Sequence, residues 1–546
     1  MAAPFLNFPL LLMAVLLPLM WLGAAALRAA AVRRNFSPAL PLAIVASVVL
    51  CIAVGAHLLF AVLYFLSPAF SDHIEPTTAI VAWIYAEGGQ IYHALDAPER
   101  YSFLYGPVPY IATAWVYELF GPGPSAAKFA GLACLVLSYA LLAMSVRQRF
   151  KGQLIPYIVA FGYFALLALF FKNHSFWSKP DPFMILAATL GLYSCLIRPG
   201  RIAWLLCGIA LGIAVNGKVT GAVYFLPYLA WFFDRDGYRA PLVILPAAAV
   251  IALLPFLSVE QVSLQNYLAW LQAAGHHGIS LVLFLQNLTF LLFILAPVGL
   301  FLLWQLGSVG MRSWFVRRKL VSAVSVAAAL LILVAGAKPG SGPHHFLPFF
   351  PALAFLTAHA VSRVHAYRPT TGWSVYGFWA PLAALFIAAV IKSAIALYFG
   401  MSVVLAQANE TVVADELAAI MEEYPGRNIY MGYGDGNRYV STFLRTNLAF
   451  AGYPYLLDFP ALQDFEFSGV HLSAATIDKI LDDESAVWLI PAGEQPFMMP
   501  DAYRPGAGSL LFDDAFRAMF AENFMKTESR RYFDLYVRRP PETPRP

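Results

Sequence analysis

Charge is what this chain has least of: Asp, Glu, Lys and Arg make up 12% of its 546 residues, about half the roughly 25% of an average globular protein. Hydrophobic residues supply 60%, and mean hydropathy is +0.67. A string of soluble domains is excluded. With 15% aromatic residues and 38 prolines, a simple coiled coil and a disordered chain are excluded as well. Acids are the scarcest group, with 10 Asp/Glu in residues 1–403. The four cysteines, Cys51, Cys134, Cys195 and Cys207, all fall in apolar stretches. They read as membrane-buried thiols and not as a disulfide framework. No HExxH motif and no Cys/His zinc spacing is present. This is a polytopic membrane protein.

Apolar stretches fall near 6–27, 39–66, 125–146, 154–171, 181–197, 202–216, 219–233, 241–258, 281–305, 320–337, 344–362 and 373–400. Those at 202–216 and 219–233 are shorter than the roughly 20 residues of a full span. The first is too long, and lacks a clear cleavage site, for a signal peptide. Alternate connections are basic and hold sixteen cations, among them Arg147/Arg149/Lys151, Arg235/Arg239 and Arg312/Arg317/Arg318/Lys319. Six cations, Arg100, Lys128, Lys172, Lys179, Lys218 and Lys338, lie on the other side. The positive-inside rule makes the sixteen cytoplasmic. Both termini are then expected outside, in a cell inner membrane with its working face periplasmic. Charge divides the chain again: 23 Lys/Arg against 10 Asp/Glu in 1–403 (+13), but 12 against 21 in 404–546 (−9). The expected domains are a membrane domain, 1–403, with an external loop 67–124, and an external α/β domain, 404–546.

Ionisable residues outside the cytoplasmic loops are the informative ones. The loop 67–124 is too long for a plain connector. It opens Ser71-Asp72-His73-Ile74-Glu75-Pro76, where Pro76 suits a first helical turn and Gly88-Gly89 its end. Ile80, Trp83 and Ile84 form an apolar face, which predicts a helix lying in the interface plane. Asp72 and Glu75 stand at its N-terminus. They fit a general base for an acceptor hydroxyl, two ligands of a divalent cation, or a helix cap and a first-turn acid. Tyr105-Gly106-Pro107 is a turn into a second apolar helix at about 107–119.

Later external turns each carry a lysine: Lys179-Pro180-Asp181-Pro182, Asn216-Gly217-Lys218-Val219-Thr220-Gly221, and Lys338-Pro339-Gly340 running to His344-His345. Several cations around one cavity would bind a phosphate; interfacial snorkelling is the bland alternative. The glycines flanking Lys218 would let a ligand approach closely. Adjacent histidines point apart on regular structure, so the His276/His277 and His344/His345 pairs read as hydrogen-bonding residues and not as metal ligands. His344 and His345, beside Lys338, join the candidate site.

Taken in order, these motifs resemble the glycosyltransferase C (GT-C) superfamily of integral membrane enzymes. The nearest branch holds protein O-mannosyltransferases, lipid A aminoarabinose transferases and lipopolysaccharide-core transferases. Asp72-His73-Ile74-Glu75, followed by AWIYAEGGQIYH and YGPVPY, is similar to the family's first external loop. SKPDPFMILAATLGLY resembles its Arg-x-Asp segment with lysine for arginine, and GKVTGAVYFLP and KPGSGPHHFLPFFPAL resemble later turns. His73 departs from the pattern, standing where many relatives have a second acid. The resemblance covers about 60–360 and the domain order. It implies about twelve transmembrane helices and a sugar donor linked to a polyprenyl phosphate. Transfer would go, with inversion, to an external glycan, lipid or protein acceptor. Asp72 or Glu75 would be the base. Lys218, assisted by Lys179 or Lys338, would steady the leaving phosphate, and Asp181 would orient sugar or acceptor. Tyr105 would contact substrate, and no cofactor beyond a divalent cation is implied.

Residues 404–546 read as α/β: a helix at TVVADELAAIMEEY, strands at IYMGY, AVWLIPA and YFDLYVRR, and a helix at DDAFRAMFAENF. GYGDGNRY has glycines spaced as in a nucleotide loop but no following long helix. A charge of −9 excludes nucleic acid as partner; membrane lipids and the substrates remain. A transporter or flippase predicts an inverted repeat with broken helices, and none is visible. A non-catalytic envelope scaffold gives no reason for acids and lysines to gather in four external turns.

Overall fold

The computed structural model describes residues 39–306, 319–366, 372–406, 410–501 and 509–540; the predicted span at 6–27 lies outside them. In chain order the first elements are α1 (Ala39–Leu66), α2 (Ile74–Ala86), α3 (Val108–Phe120), α4 (Pro124–Phe150), α5 (Leu154–Leu169), α6 (Asp181–Leu196), α7 (Arg201–Gly217), α8 (Gly221–Asp236) and α9 (Pro241–Ser258). Next come α10 (Leu264–Ala274), α11 (Leu281–Leu306), α12 (Lys319–Ala335), α13 (Phe350–Ala366), entered through a 3₁₀ stretch at Pro343–Phe349, and α14 (Gly372–Ala406). The chain closes with α15 (Glu410–Glu423), β1 (Ile429–Met431), α16 (Arg445–Phe450), α17 (Phe459–Phe467), α18 (Ala474–Asp482), β2 (Val487–Pro491), α19 (Asp514–Asn523), β3 (Phe524–Ser529) and β4 (Phe533–Arg538).

Each of the other eleven predicted spans falls on a helix. Among the described residues, six stretches are long and apolar enough to cross a membrane: Ile44–Leu66, Pro124–Phe150, Pro241–Ser258, Leu281–Leu300, Pro343–Arg363 and Leu385–Leu405. Four further apolar helices, α5, α6, α7 and α12, have 16 or 17 residues. The molecule is a polytopic α-helical membrane protein with a C-terminal α/β region.

Contacts divide the chain into two compact units. The first takes residues up to Tyr64, Gly131–Leu254 and Ile279–Ser402; the second takes Phe65–Ala130, Pro255–Gly278 and Val403 onward. The first external loop thus folds with the C-terminal region.

Within the first unit, α6, α7 and α8 run back and forth in sequence order. Arg235, near the end of α8, donates to the carbonyls of Cys195 (2.9 Å) and Ile197 (3.4 Å), which end α6. Its charge is balanced by Asp236, which also accepts from Trp204 Nε1 at 2.6 Å. A cation at a helix C-terminus meets the free carbonyls and the negative end of the dipole. Gly131 on α4 passes so close to the 176–177 backbone that a Cβ would stand 2.2 Å from the Trp177 carbonyl oxygen. Lys392, which belongs to neither side of the charge division, is a half-buried residue within α14.

Within the second unit the sheet has the order β1-β2-β4-β3, with β1 parallel to β2 and the other pairs antiparallel. All five residues of β2 are buried, as a central strand covered on both faces requires. Val413, Leu417 and Ile420 of α15, at helical spacing, pack with Leu489 and Leu535. The sequence reading named α15, β1, β2, β4 and α19 but not β3, whose pattern is largely exposed.

The loop between α1 and α4 forms the rest of this unit. Pro76 and Gly88 stand where predicted, in the first turn of α2 and just beyond its end, with φ +85° at Gly88. The apolar face is covered by protein: Ile80 and Val81 are fully buried, Trp83 and Ile84 half-buried, against Tyr117, Phe450 and other aromatic residues. Trp83 Nε1 donates to the Ala449 carbonyl at 3.0 Å. Lys128 is buried because its Nζ donates to the carbonyls of Ser67 (2.8 Å) and Ala69 (2.6 Å), just past the end of α1.

Candidate functional site

The predicted residues fall into two groups, one in each unit. In the first unit, Asp181 is the N-terminal residue of α6, where the dipole favours a carboxylate. It is almost fully buried and paired: Oδ1 accepts from Lys218 Nζ at 2.7 Å, and Oδ2 from Trp177 Nε1 at 3.1 Å. Lys218 follows directly on α7. Its flanking glycines are required by the protein's own packing. A Cβ at Gly221 would meet the Ala214 carbonyl at 2.2 Å, and one at Gly217 would meet Met184 Sδ at 2.8 Å.

Trp177, which the sequence reading passed over, is the centre of this group. The His174 ring stacks on it with centroids 3.6 Å apart, and Lys179 Nζ lies 3.7 Å from its ring. Lys179 is buried, so the indole face replaces part of its hydration. His344 closes the cluster, 5.5 Å from His174 and 4.7 Å from His345 between ring centroids. The adjacent histidines therefore stay side by side, because residues 343–349 are a 3₁₀ stretch and not a strand. The His345 carbonyl accepts from Tyr224 at 2.6 Å, and Lys338 is an electrostatic neighbour of His345. Two lysines against one aspartate leave the centre positive before any histidine is protonated. Such a group can hold a phosphate, with ammonium and ring N–H groups as donors.

In the second unit, Glu75 is fully buried, and its Oε2 accepts from Ser71 N (3.1 Å), Ser71 Oγ (3.1 Å) and Asp72 N (3.0 Å). It reaches back over the start of α2 like the acid of a capping box. Asp72 is only partly buried, and its Oδ1 accepts from Ile74 N at 3.0 Å. Tyr105 stacks on Phe103 at 5.6 Å, and its carbonyl accepts from Tyr92 at 2.6 Å. Among the described residues no group of three or more His, Cys, Asp and Glu is arranged to hold a metal.

A buried network stands beside this loop. Arg445, at the start of α16, donates through Nη2 to the His73 carbonyl (2.6 Å) and Thr77 Oγ1 (3.0 Å), through Nη1 to the Thr442 carbonyl (3.1 Å), and through Nε to Tyr455 (3.2 Å). Asp458 lies 3.3 Å from Nη2 and accepts from Thr77 at 2.6 Å and from Tyr455. Burial opposes the guanidinium charge, but the oxygens of Tyr455 and Asp458 outweigh it and hold the pKa above its ordinary value. Arg445 and Asp458 are more than 300 residues from Asp72, and no local motif marks them.

His93, in the same loop, uses Nε2 to accept from the amides of Tyr101 and Ser102, each at 3.2 Å. Burial, together with Arg100 and against the Ala94 carbonyl and Glu99, lowers its pKa to about 4. The ring is a neutral brace. The glycine run GYGDGNRY is occupied by the protein itself: the Glu494 carboxylate accepts from the amides of Gly436 (3.2 Å) and Arg438. That fills the place a phosphate would take in a nucleotide loop.

No protein-family model and no curated protein sequence matches the chain. Solved structures share its fold. ArnT from Cupriavidus metallidurans bound to undecaprenyl phosphate superposes with a TM-score of 0.51 at 14% identity, covering 90% of this chain and 97% of that one. The apo state of the same protein gives 0.50 at 15%, over 92% and 98%. Arabinosyltransferase EmbB from Mycobacterium smegmatis is also similar, with a TM-score of 0.42 at 14% identity over 77% and 43%. The likeness to ArnT establishes the fold over nearly the whole chain. Activity has to be argued from side chains.

Proposed function

We propose, for a chain with the ArnT fold, that it is a membrane glycosyltransferase moving a sugar from a polyprenyl-phosphate donor to an external acceptor. The observation that carries this reading is the buried group of Lys218, Asp181, Lys179, Trp177, His174 and His344. Helices α6, α7 and α8 have 16 or 17 residues and so reach roughly 25 Å, less than the ~30 Å hydrocarbon core. Charged residues at their ends are then within reach of a lipid phosphate and not only of soluble ions. The undecaprenyl phosphate of the similar ArnT structure is a ligand of this class.

In the reaction, the acceptor hydroxyl oxygen attacks the anomeric carbon and the bond from that carbon to the phosphate oxygen breaks. The electron pair leaves with the polyprenyl phosphate, which Lys218 steadies with Lys179 and Lys338. The hydroxyl proton goes to a carboxylate. Asp72 is assigned this role over Glu75, because Glu75 is buried and one of its oxygens already serves three donors. In-line attack inverts the anomeric centre. A divalent cation, if used, would draw on Asp72 and Glu75. Asp181 tunes Lys218, while His344, His345 and Tyr105 contact substrate. By the charge asymmetry of its loops the protein lies in a cell inner membrane with this chemistry on the periplasmic side.

The test is reconstitution in nanodiscs with a panel of polyprenyl-phosphate sugars, following release of polyprenyl phosphate. Release with at least one sugar, lost in Lys218→Ala, is expected. No release or hydrolysis of any donor by a folded, lipid-embedded preparation would refute the reading.

A further inference from the structure

The carboxylate-bearing turn 71–75 is short, and its internal hydrogen bonds fix its shape but not its direction. Arg445 anchors it from outside. Arg445 Nη2 donates at 2.6 Å to the carbonyl of His73, the residue between Asp72 and Ile74. The same nitrogen binds Thr77 one turn into α2, and Thr77 in turn donates to Asp458 at 2.6 Å. Asp458 is itself immobilised, its Oδ1 capping α17 through Ala461 N at 2.9 Å. Arg445 is 1% exposed and Asp458 fully buried. Each of the three guanidinium nitrogens donates, and each acceptor is fixed by backbone or by a second hydrogen bond. The ring of Tyr439 lies 6.2 Å from that of His73 and covers the same turn.

We infer that Arg445, held by Asp458 and Tyr455, is a positioning residue that sets the orientation of the Asp72 turn. The C-terminal region therefore contributes directly to the reaction. This deepens the glycosyltransferase reading and rests on it. The contact is made to a main-chain carbonyl, so it fixes the backbone angles next to Asp72 whatever side chain stands at 73. A base displaced by about 1 Å loses on the order of 100-fold in rate, while donor binding through Lys218 is untouched.

The experiment compares wild type with Arg445→Gln, Thr77→Val and Thr77→Ser in nanodiscs. Steady-state transfer and amide hydrogen exchange are measured on the full chain. Arg445→Gln is expected to lower kcat about 100-fold with the donor KM unchanged, and to speed exchange at 71–77. Protection of 410–423 and 487–491 should stay as in wild type. Thr77→Val should lower kcat in the same direction and Thr77→Ser should restore it, since the serine keeps the hydroxyl that links Arg445 to Asp458. Unchanged kcat in Arg445→Gln, or faster exchange spread over the whole C-terminal region, would overturn the positioning role. Wild-type protein inactive with every donor would overturn the glycosyltransferase reading instead, and the exchange data would still decide whether Arg445 holds the turn.

Discussion

Replacing Lys218 with alanine leaves the Asp181 carboxylate facing one indole N–H in place of an ammonium 2.7 Å away. With side-chain exposures of 13% and 5%, the pair is largely shielded from bulk water. Removing one partner of such a pair costs about 3–5 kcal/mol, which translates into a melting shift on the order of 10 °C. Asp181→Asn alone takes the same 2.7 Å partner from Lys218. The double variant removes both charges, so its loss should fall short of the sum of the two single losses by a coupling of about 0.5–3 kcal/mol. Three cysteines supply the assay: Cys134, Cys195 and Cys207 are buried free thiols, while Cys51 is exposed. A thiol-reactive fluorophore thus reads one site in folded protein and the others on unfolding. Transfer should be absent in all three variants, since the phosphate-steadying cation is gone or, in Asp181→Asn, mispositioned. Additive melting shifts in the double variant would refute the ion pair. Wild-type transfer in a stable double variant would refute its part in the reaction.

Asp72→Asn should abolish transfer, by about 10²–10⁴, without loss of membrane insertion. Glu75→Gln should weaken the turn it braces and lower turnover too; normal turnover in both variants would remove the carboxylates from the mechanism. His93 gives a pH dependence. Its folded pKa of about 4 lies below the ordinary 6.5, so stability is complete above pH 6.5 and falls as pH drops toward 4. The loss is up to about 3 kcal/mol, measurable by denaturant unfolding and removed in His93→Gln. Trp177→Phe keeps a ring under His174 and Lys179 but takes the 3.1 Å donor from Asp181. About 1 kcal/mol of stability and a raised donor KM are expected, and an unchanged KM would detach the indole from the phosphate group.

The spans were legible because twenty apolar residues leave no other fold, and the lysines because the bilayer makes any external cation conspicuous. Lys179, Asp181, Lys218 and His344 did converge, each at the end of a helix whose start or finish the sequence marks with Pro or Gly. Trp177 and His174 sat in the same KNHSFWSKPDPF string, but aromatic residues are common here and only stacking singles these out. The second unit was illegible for a different reason. Arg445 and Asp458 look like ordinary surface charges in an acidic region, and only tertiary contact with Thr77 and His73 buries them. The α2 stripe showed the helix and was read as an interfacial face, but it could not reveal Tyr117 and Phe450 as its cover.

Thr77 donates to a partner 381 residues later in the chain. At roughly 5–20 residues per second, about 20–75 s of synthesis separate the two. For that interval the Asp72 turn has neither Arg445 nor Asp458 to hold it. On the proposed glycosyltransferase reading, a chain cut short before Arg445 has no oriented base and should transfer no sugar.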